Sequence, residues 1–299
     1  MKYSALSTFT GVCLSTLLLQ RASSLSSRLP SSRLHSTSSP SPSLPSAALL
    51  QFPVSSSKSS NFATLSARVH DVMSGPSPPC LLVLPEVWNS PYATSAFADY
   101  AEELPSLESR GKPKSESANL LRTLASTYKV HIIGGSVPER CPEGSIYNTC
   151  LVYGPEGDLL AKHRKVHLFD IDVPGGIKFK ESDTLSPGGQ LLTGFSHPTL
   201  GYVGVGICYD LRFPELSLLH ASRSCNVLAF PGAFNMTTGP AHWSLLLRAR
   251  AVDCQCYVLA CSPARTKAPD VPGPHKHYEA YGHSMAVSPW GDVLGEAGS

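Results

Sequence analysis

Tyr202-Val203-Gly204-Val205-Gly206-Ile207-Cys208-Tyr209-Asp210 is an apolar, glycine-interrupted run that ends on a thiol, and Leu211-Arg212-Phe213-Pro214-Glu215 leads from it into an amphipathic helix. Val and Ile favour extended backbone, and Pro214 suits the first turn of a helix. The stretch therefore reads as a buried strand followed at once by a turn and a helix. A thiol at such a junction stands clear of the sheet, where the first helical amides favour its thiolate and can hold an oxyanion. Cys208 is thus the candidate nucleophile. Thiolate character would make it the first of the nine cysteines to react with iodoacetamide.

The pattern on either side alternates in the same way. Upstream, 47–52 and 81–84 read as short apolar strands, 61–73 and 115–128 as amphipathic helices, and 130–137 as one further strand. Residues 147–153 and 158–164 flank Gly154-Pro155-Glu156-Gly157 as a hairpin. Downstream, helices over 214–224 and 240–253 alternate with strands over 227–230 and 257–261. A hairpin over 283–295 turns at Pro289-Trp290-Gly291. Strand–helix alternation without a repeat or a long linker predicts one α/β domain with helices covering the sheet faces.

Composition narrows the function classes. Of 299 residues, 42% are hydrophobic, enough for a large core, and the net charge is only +2. No basic stripe of the kind phosphate binding needs is present, so nucleic acid is not an expected partner. The cysteines do not form the paired Cys-x-x-Cys units of a zinc ribbon, and Cys254, Cys256 and Cys261 read as small core residues. No metal or organic cofactor is expected. Residues 1–45 differ from the rest: rich in Ser, Leu and Pro, they carry Lys2, Arg21, Arg28 and Arg33 and no acid, the first being Asp71. This is the composition of a targeting segment, expected to address a mitochondrion or plastid, with a cytoplasmic or secretory destination as the alternative. Its apolar part, 5–19, is too broken by Ser and Thr for a membrane span.

A free thiol is only a few per cent ionised at neutral pH, so Cys208 needs a partner. His167, His220, His242 and His283 are available, but nothing in their local sequence singles one out. Glu86 directly follows the strand ending Leu82-Val83-Leu84-Pro85, and Lys165 follows the second hairpin strand. Both stand at carboxyl ends of strands, where open α/β sheets collect ligands. Arg212 and Glu215 read as an ion pair at a helix start.

Leu84-Pro85-Glu86, Arg164-Lys165-Val166-His167-Leu168-Phe169-Asp170, Gly206-Ile207-Cys208-Tyr209-Asp210-Leu211-Arg212-Phe213-Pro214-Glu215 and Pro231-Gly232-Ala233-Phe234-Asn235 together resemble the signature blocks of the nitrilase (carbon-nitrogen hydrolase) superfamily, from residue 46 to the end. The resemblance implies a four-layer α-β-β-α sandwich over 46–299 and a homodimer or higher homo-oligomer, with the helices near Pro214 and Pro240 as interface candidates. It also implies a small-molecule amide as substrate. Carried over by motif, Cys208 is the nucleophile, Glu86 the general base, Lys165 the cation that stabilises the tetrahedral intermediate and Glu181 a second acid that orients Lys165. The backbone amide of Tyr209 would complete the oxyanion site, and Tyr92, Tyr209, Phe234 and Met236 would line the substrate pocket.

Asn89-Ser90-Pro91-Tyr92, Leu168–Gly175, Phe234–Trp243 and Ser262-Pro263-Ala264-Arg265 resemble the omega-amidase branch, whose members convert 2-oxoglutaramate and 2-oxosuccinamate to the 2-oxo acid and ammonia. Arg212–Leu218 and Tyr281–Met285 resemble instead the group acting on deaminated glutathione. A catalytically idle binding protein is the alternative of another class, against which the intact Glu86, Lys165 and Cys208 speak. Two features depart from the family pattern. Thr266–Tyr278, rich in Pro, Gly, Lys and His, reads as a surface insertion, and the chain stops before the last strand and tail that relatives carry, as if truncated.

Overall fold

In Ala47-Ala48-Leu49-Leu50 all four side chains are buried, a pattern that suits only a strand covered on both faces. Ala47 and Leu49 belong to one hydrophobic core and Ala48 and Leu50 to another. The chain is described by a computed structural model, over residues 16–20, 45–109, 111–175, 178–267, 275 and 277–299. Its first half runs β1 (Thr16–Gln20), β2 (Ser46–Leu50), α1 (Lys58–Met73), β3 (Leu81–Val83), α2 (Thr94–Tyr100), α3 (Glu116–Tyr128), β4 (His131–Ile133), β5 (Val137–Arg140), β6 (Ile146–Tyr153) and β7 (Leu159–Arg164). The second half runs β8 (Asp170–Asp172), β9 (Lys178–Lys180), β10 (Gly194–His197), β11 (Gly201–Val205), α4 (Pro214–Ala221), β12 (Cys225–Pro231), α5 (Thr238–Cys254), β13 (Tyr257–Cys261), β14 (Met285–Val287) and β15 (Val293–Glu296).

Two sheets result. One has the order β1-β2-β3-β4-β6-β5 with β7 paired to β6, and the other the order β10-β11-β12-β13-β14-β15. The period of two along each strand sorts the side chains. Leu81, Val83, Ile133 and Val152 face the second sheet's Val203, Val205, Val227 and Leu259, forming the inner core. Leu82, Ile132, Leu151 and Tyr153 face outward under Leu65 and Val69 of α1 and Leu121 and Leu124 of α3. On the far side Leu216 of α4 and Trp243, Leu247 and Ala251 of α5 cover the second sheet. The expected four-layer α-β-β-α sandwich is therefore present.

Three local readings change. The single strand expected over 130–137 is two, β4 and β5, because Gly135 takes a positive φ of 60° and turns the chain beneath Pro85. The helix α2, the polar strand β10 and the ribbon β8–β9 carry too little apolar periodicity to stand out in the sequence. Within the segment read as a targeting sequence, β1 pairs antiparallel with β2; residues 1–15 and 21–44 lie outside the described residues. Among the described residues no helix is long and apolar enough to cross a membrane.

Inside the second sheet's outer layer, His220 is fully buried with its ring against Gly204, where an added Cβ would clash. Burial, aided by His163, lowers its pKa from 6.5 to about 4. The unfolded chain therefore takes up a proton that the folded chain refuses, and stability falls as pH drops from about 6.5 to 4. Urea unfolding measured across that interval is expected to show this loss, and His220→Gln to reduce it.

Candidate active site

Most groups of the site follow a strand end. Glu86 comes three residues after β3, Lys165 directly after β7, Cys208 three after β11 and Ala233 two after β12. Glu181 opens a short helical turn immediately after β9. The backbone is bent at both ends of the reacting pair. Cys208 has φ 47° and Val87, next to Glu86, has φ 50°, left-handed conformations that cost a non-glycine residue on the order of 1 kcal/mol or more each. Such strain persists only where surrounding contacts enforce it, and here they do. Gly232 packs on the Cys208 backbone, where a Cβ would stand only 3.3 Å from Cys208 Cα, and the Val87 amide donates to Ser136 Oγ at 3.0 Å.

The expected residues converge. Lys165 Nζ donates to Glu86 Oε1 at 3.0 Å and to Glu181 Oε1 at 2.9 Å, and all three side chains are fully buried. Tyr92 hydroxyl donates to Glu181 Oε1 at 2.6 Å, and the Phe169 amide to Glu181 Oε2 at 2.7 Å. The Ala233 amide holds Glu86 Oε2 at 2.8 Å and Asn148 Nδ2 holds Oε1 at 2.9 Å. The Cys208 thiol donates to the Glu86 carboxylate. Asn148 and the Ala233 amide had no signal in the sequence: one is a polar residue within an apolar strand, the other a backbone group.

Electrostatics follow from two carboxylates and one ammonium out of water. Burial pushes Glu86 up, against the pull of Lys165 and with the push of Glu181. Burial disfavours the Lys165 cation, but Glu181 and Glu86 outweigh it and hold the ammonium well above its ordinary range. Burial and the Glu86 charge push the Cys208 thiol far up, more than Lys165 pulls it down. The expectation of a resting thiolate is therefore corrected. The negative carboxylates and the lack of water dominate the turn's amides, so Cys208, only 4% exposed, rests as a thiol. It is not expected to be alkylated first. The four histidines considered as bases are engaged elsewhere: His167 with Asp210, His220 in the core, His242 with Arg212 and His283 with Glu296.

A cavity of about 190 Å³ opens on Cys208, walled by Phe169, Tyr209, Arg212, Phe234 and Tyr278. Tyr209 and Phe234 thus stand where expected. Tyr92 stands one step back, on the carboxylates. Met236 is 39% exposed and outside the cavity wall. Asn235 Oδ1 accepts from the Thr237 and Thr238 amides at 2.8 and 2.9 Å, which folds the chain into α5 and leaves Met236 on the outside of the turn. The Arg212–Glu215 ion pair is also absent among the described residues. Glu215 is exposed, whereas the Arg212 guanidinium lies over the Tyr209 and Phe234 rings, 5.3 and 5.8 Å from their centroids, and donates to His242 Nδ1 at 3.3 Å. Arg212 Nε is buried and has no hydrogen-bond partner. The stretch read as a surface insertion borders the site too: Tyr278 shares the Cys208 cavity, and Thr266, His275 and His277 line a second cavity of about 590 Å³ beside Glu86.

Behind the nucleophile, Asp210 is a buried junction. Its Oδ2 accepts from the Ile207 amide at 2.9 Å and from His163 Nε2 at 3.0 Å; its Oδ1 accepts from His167 Nδ1 at 2.8 Å and the His167 amide at 2.9 Å. His163 and His167 bracket Lys165, so one carboxylate ties the Cys208 turn to the Lys165 segment. These donors hold it well below the usual carboxylate range despite burial. Among the described residues no group of His, Cys, Asp and Glu is arranged to hold a metal ion.

The sequence profile of the carbon-nitrogen hydrolase family matches residues 46–299. The chain is 50% identical to mouse omega-amidase NIT2 over 252 residues, 84% of each chain, and 48% identical to the human omega-amidase NIT2, again covering 84% of each. Among solved structures it is similar to Saccharomyces cerevisiae Nit3, a member of branch 10 of the nitrilase superfamily, with a TM-score of 0.73 and 42% identity over 84% of this chain and 85% of that one.

Asp210→Asn replaces an acceptor by an amide group facing four donors. It is expected to lower kcat roughly 10- to 100-fold with KM changed less than about threefold, since it moves Cys208 against Lys165 without touching the wall of the Cys208 cavity. The depressed Asp210 contributes stability above pH 3.8 that is lost only as pH falls through its still lower folded value. The variant is therefore also expected to melt lower at pH 7. Steady-state kinetics and a thermal melt check both.

Proposed function

We propose, from the premise that this chain belongs to the carbon-nitrogen hydrolase family, that it is an omega-amidase. It would hydrolyse the terminal amide of short 2-oxo dicarboxylic acid monoamides, 2-oxoglutaramate and 2-oxosuccinamate, to the 2-oxo acid and ammonia. One observation carries the reading: an arginine, Arg212, in the wall of a small aromatic cavity whose floor is the Cys208 thiol. A guanidinium with an unpartnered buried Nε is matched to a carboxylate. About 50% identity to proteins named omega-amidases supports the same reading.

In this reading Cys208 Sγ attacks the amide carbon as its proton passes to Glu86 along their hydrogen bond, so that no resting thiolate is needed. The tetrahedral oxyanion is held by the Lys165 ammonium and the Tyr209 backbone amide. Glu86, now a carboxylic acid, protonates the nitrogen, ammonia departs, and a thioester to the 2-oxo acid remains. Glu86 then takes a proton from water as the water attacks the thioester, and returns it to sulfur as the C–S bond breaks. Lys165 keeps its charge throughout because Glu181 stays paired with it. Tyr92 and Phe234 complete the walls around these groups.

The acid-free residues 1–45 support an organelle address, mitochondrion or plastid, with the hydrolase domain over 46–299. Leu218 on α4 and Leu245 and Val252 on α5, 48%, 64% and 47% exposed, support association of copies through these helices.

Ammonia and 2-oxo acid production from 2-oxoglutaramate, run beside deaminated glutathione, tests the reading. Activity is expected on the first and its loss in Cys208→Ala; full turnover by that variant would refute the mechanism. Arg212→Met is expected to lower kcat/KM on 2-oxoglutaramate roughly 10- to 100-fold, the cost of one charge-assisted contact, and to leave an uncharged short amide nearly unaffected. Equal losses on both amides would remove Arg212 from carboxylate binding.

A further inference from the structure

The larger cavity beside Glu86 has no part in holding substrate in the reading above, on which this inference rests. Glu86 and Tyr92 line it at the catalytic side, and Thr266, His275 and His277 give it a polar wall. Ala233 and Tyr278 line both cavities, while Cys208 lines only the small one and Glu86 only the large one. The partition is fixed in place. Tyr278 hydroxyl donates to the Ala233 carbonyl at 2.5 Å, and its ring lies 4.5 Å from the Tyr92 ring. The nucleophile and its base thus face different spaces.

We propose that the large cavity is the route by which hydrolytic water reaches Glu86 while the acyl chain occupies the small one. Once the thioester has formed, the 2-oxo acid extends from Cys208 toward Arg212, and its atoms occupy the space walled by Phe169, Tyr209, Phe234 and Tyr278. Water cannot enter past it. The attacking oxygen must nevertheless come within hydrogen-bond reach of the Glu86 carboxylate that takes its proton. The polar space on the Glu86 side of Tyr278 meets that requirement. The step balances without a further reactant. The water oxygen bonds to the thioester carbon, one proton passes to Glu86, the C–S bond breaks, and the Glu86 proton completes the thiol.

The route predicts that acylation and deacylation respond differently when the large cavity is filled from its partly exposed wall. Ala264 and Thr266 line that wall, are half-buried and belong to no catalytic contact. Ala264→Phe and Thr266→Phe, two variants so that one misfolding does not decide the matter, are acylated with mono-p-nitrophenyl glutarate, whose acyl chain occupies the small cavity as the 2-oxo acid would, whose nitrophenolate burst reports acylation and whose later slow phase reports deacylation. The expected result is a burst rate within twofold of the parent protein, a slow phase reduced at least tenfold, and accumulation of the glutarylated Cys208 protein by intact mass. Equal slowing of both phases would mean that the cavity belongs to the substrate path. An unchanged slow phase in a variant that melts like the parent would mean that water arrives beside Cys208. Either result overturns the route. Because the ester carries no 2-oxo acid, a parent protein inert on 2-oxoglutaramate but normal in the burst experiment would sink the substrate reading and leave the route standing.

Discussion

One ammonium between two carboxylates, all three out of water, is the constraint on which the rest of the site depends. Lys165, Glu86 and Glu181, two carboxylates and one ammonium, are all fully buried side chains. Taking such ions from water costs several kcal/mol apiece unless geometry and further hydrogen bonds offset it. The site supplies those bonds from the Ala233 and Phe169 amides, Asn148 and Tyr92, which come from separate strand ends and loops. Both sheets must be in register before the charges are satisfied. The two parallel triplets β2-β3-β4 and β11-β12-β13 bring Glu86 and Cys208 to the same end of the sandwich.

The excess negative charge explains why the thiol rests protonated beside a lysine. In a thiolate–imidazolium pair the nucleophile is ionised before substrate arrives; here Glu86 and Glu181 make that state costly. In the proposed mechanism the cation is kept for the oxyanion instead. A lysine whose charge is already balanced by Glu181 can turn toward a developing alkoxide without leaving an ion unpaired. The arrangement also leaves the resting thiol a poor target for alkylating or oxidising agents, whose attack needs the thiolate.

Much of this was legible in the chain, and the reasons differ by residue. The apolar run into Cys208 fixed strand, turn and helix because its signal is local, and the hairpin at Gly154–Gly157 declared itself by turn chemistry. Glu86, Lys165 and Cys208 were readable as strand-end residues, yet their convergence depended on sheet order, which no local pattern encodes; there the family resemblance carried the inference. Asn148 and the Ala233 amide stayed hidden because their role comes from a partner 62 and 147 residues away along the chain. Arg212 was misread for a related reason. An Arg three residues before a Glu at a helix start suggests an ion pair, but Phe213 and Pro214 delay the helix and the guanidinium turns inward over Tyr209 and Phe234. The thiol's ionisation was misread because helix-end amides are visible in sequence while burial and a neighbouring carboxylate are not.

Asp210 shows how the fold keeps this chemistry aligned. The Cys208 turn is strained and would relax if freed, and Lys165 sits at the end of a strand belonging to the opposite sheet. A single carboxylate that accepts from Ile207, His163 and His167 makes the two positions move as one body. Asp210 is not among the residues that wall the Cys208 cavity, so none of its partners would have to move as Cys208 passes from thiol to adduct in the proposed reaction. In the proposed reaction a rigid link of this kind would hold sulfur, ammonium and oxyanion in one geometry through both halves, so that the charge appearing twice on the substrate meets the same field each time.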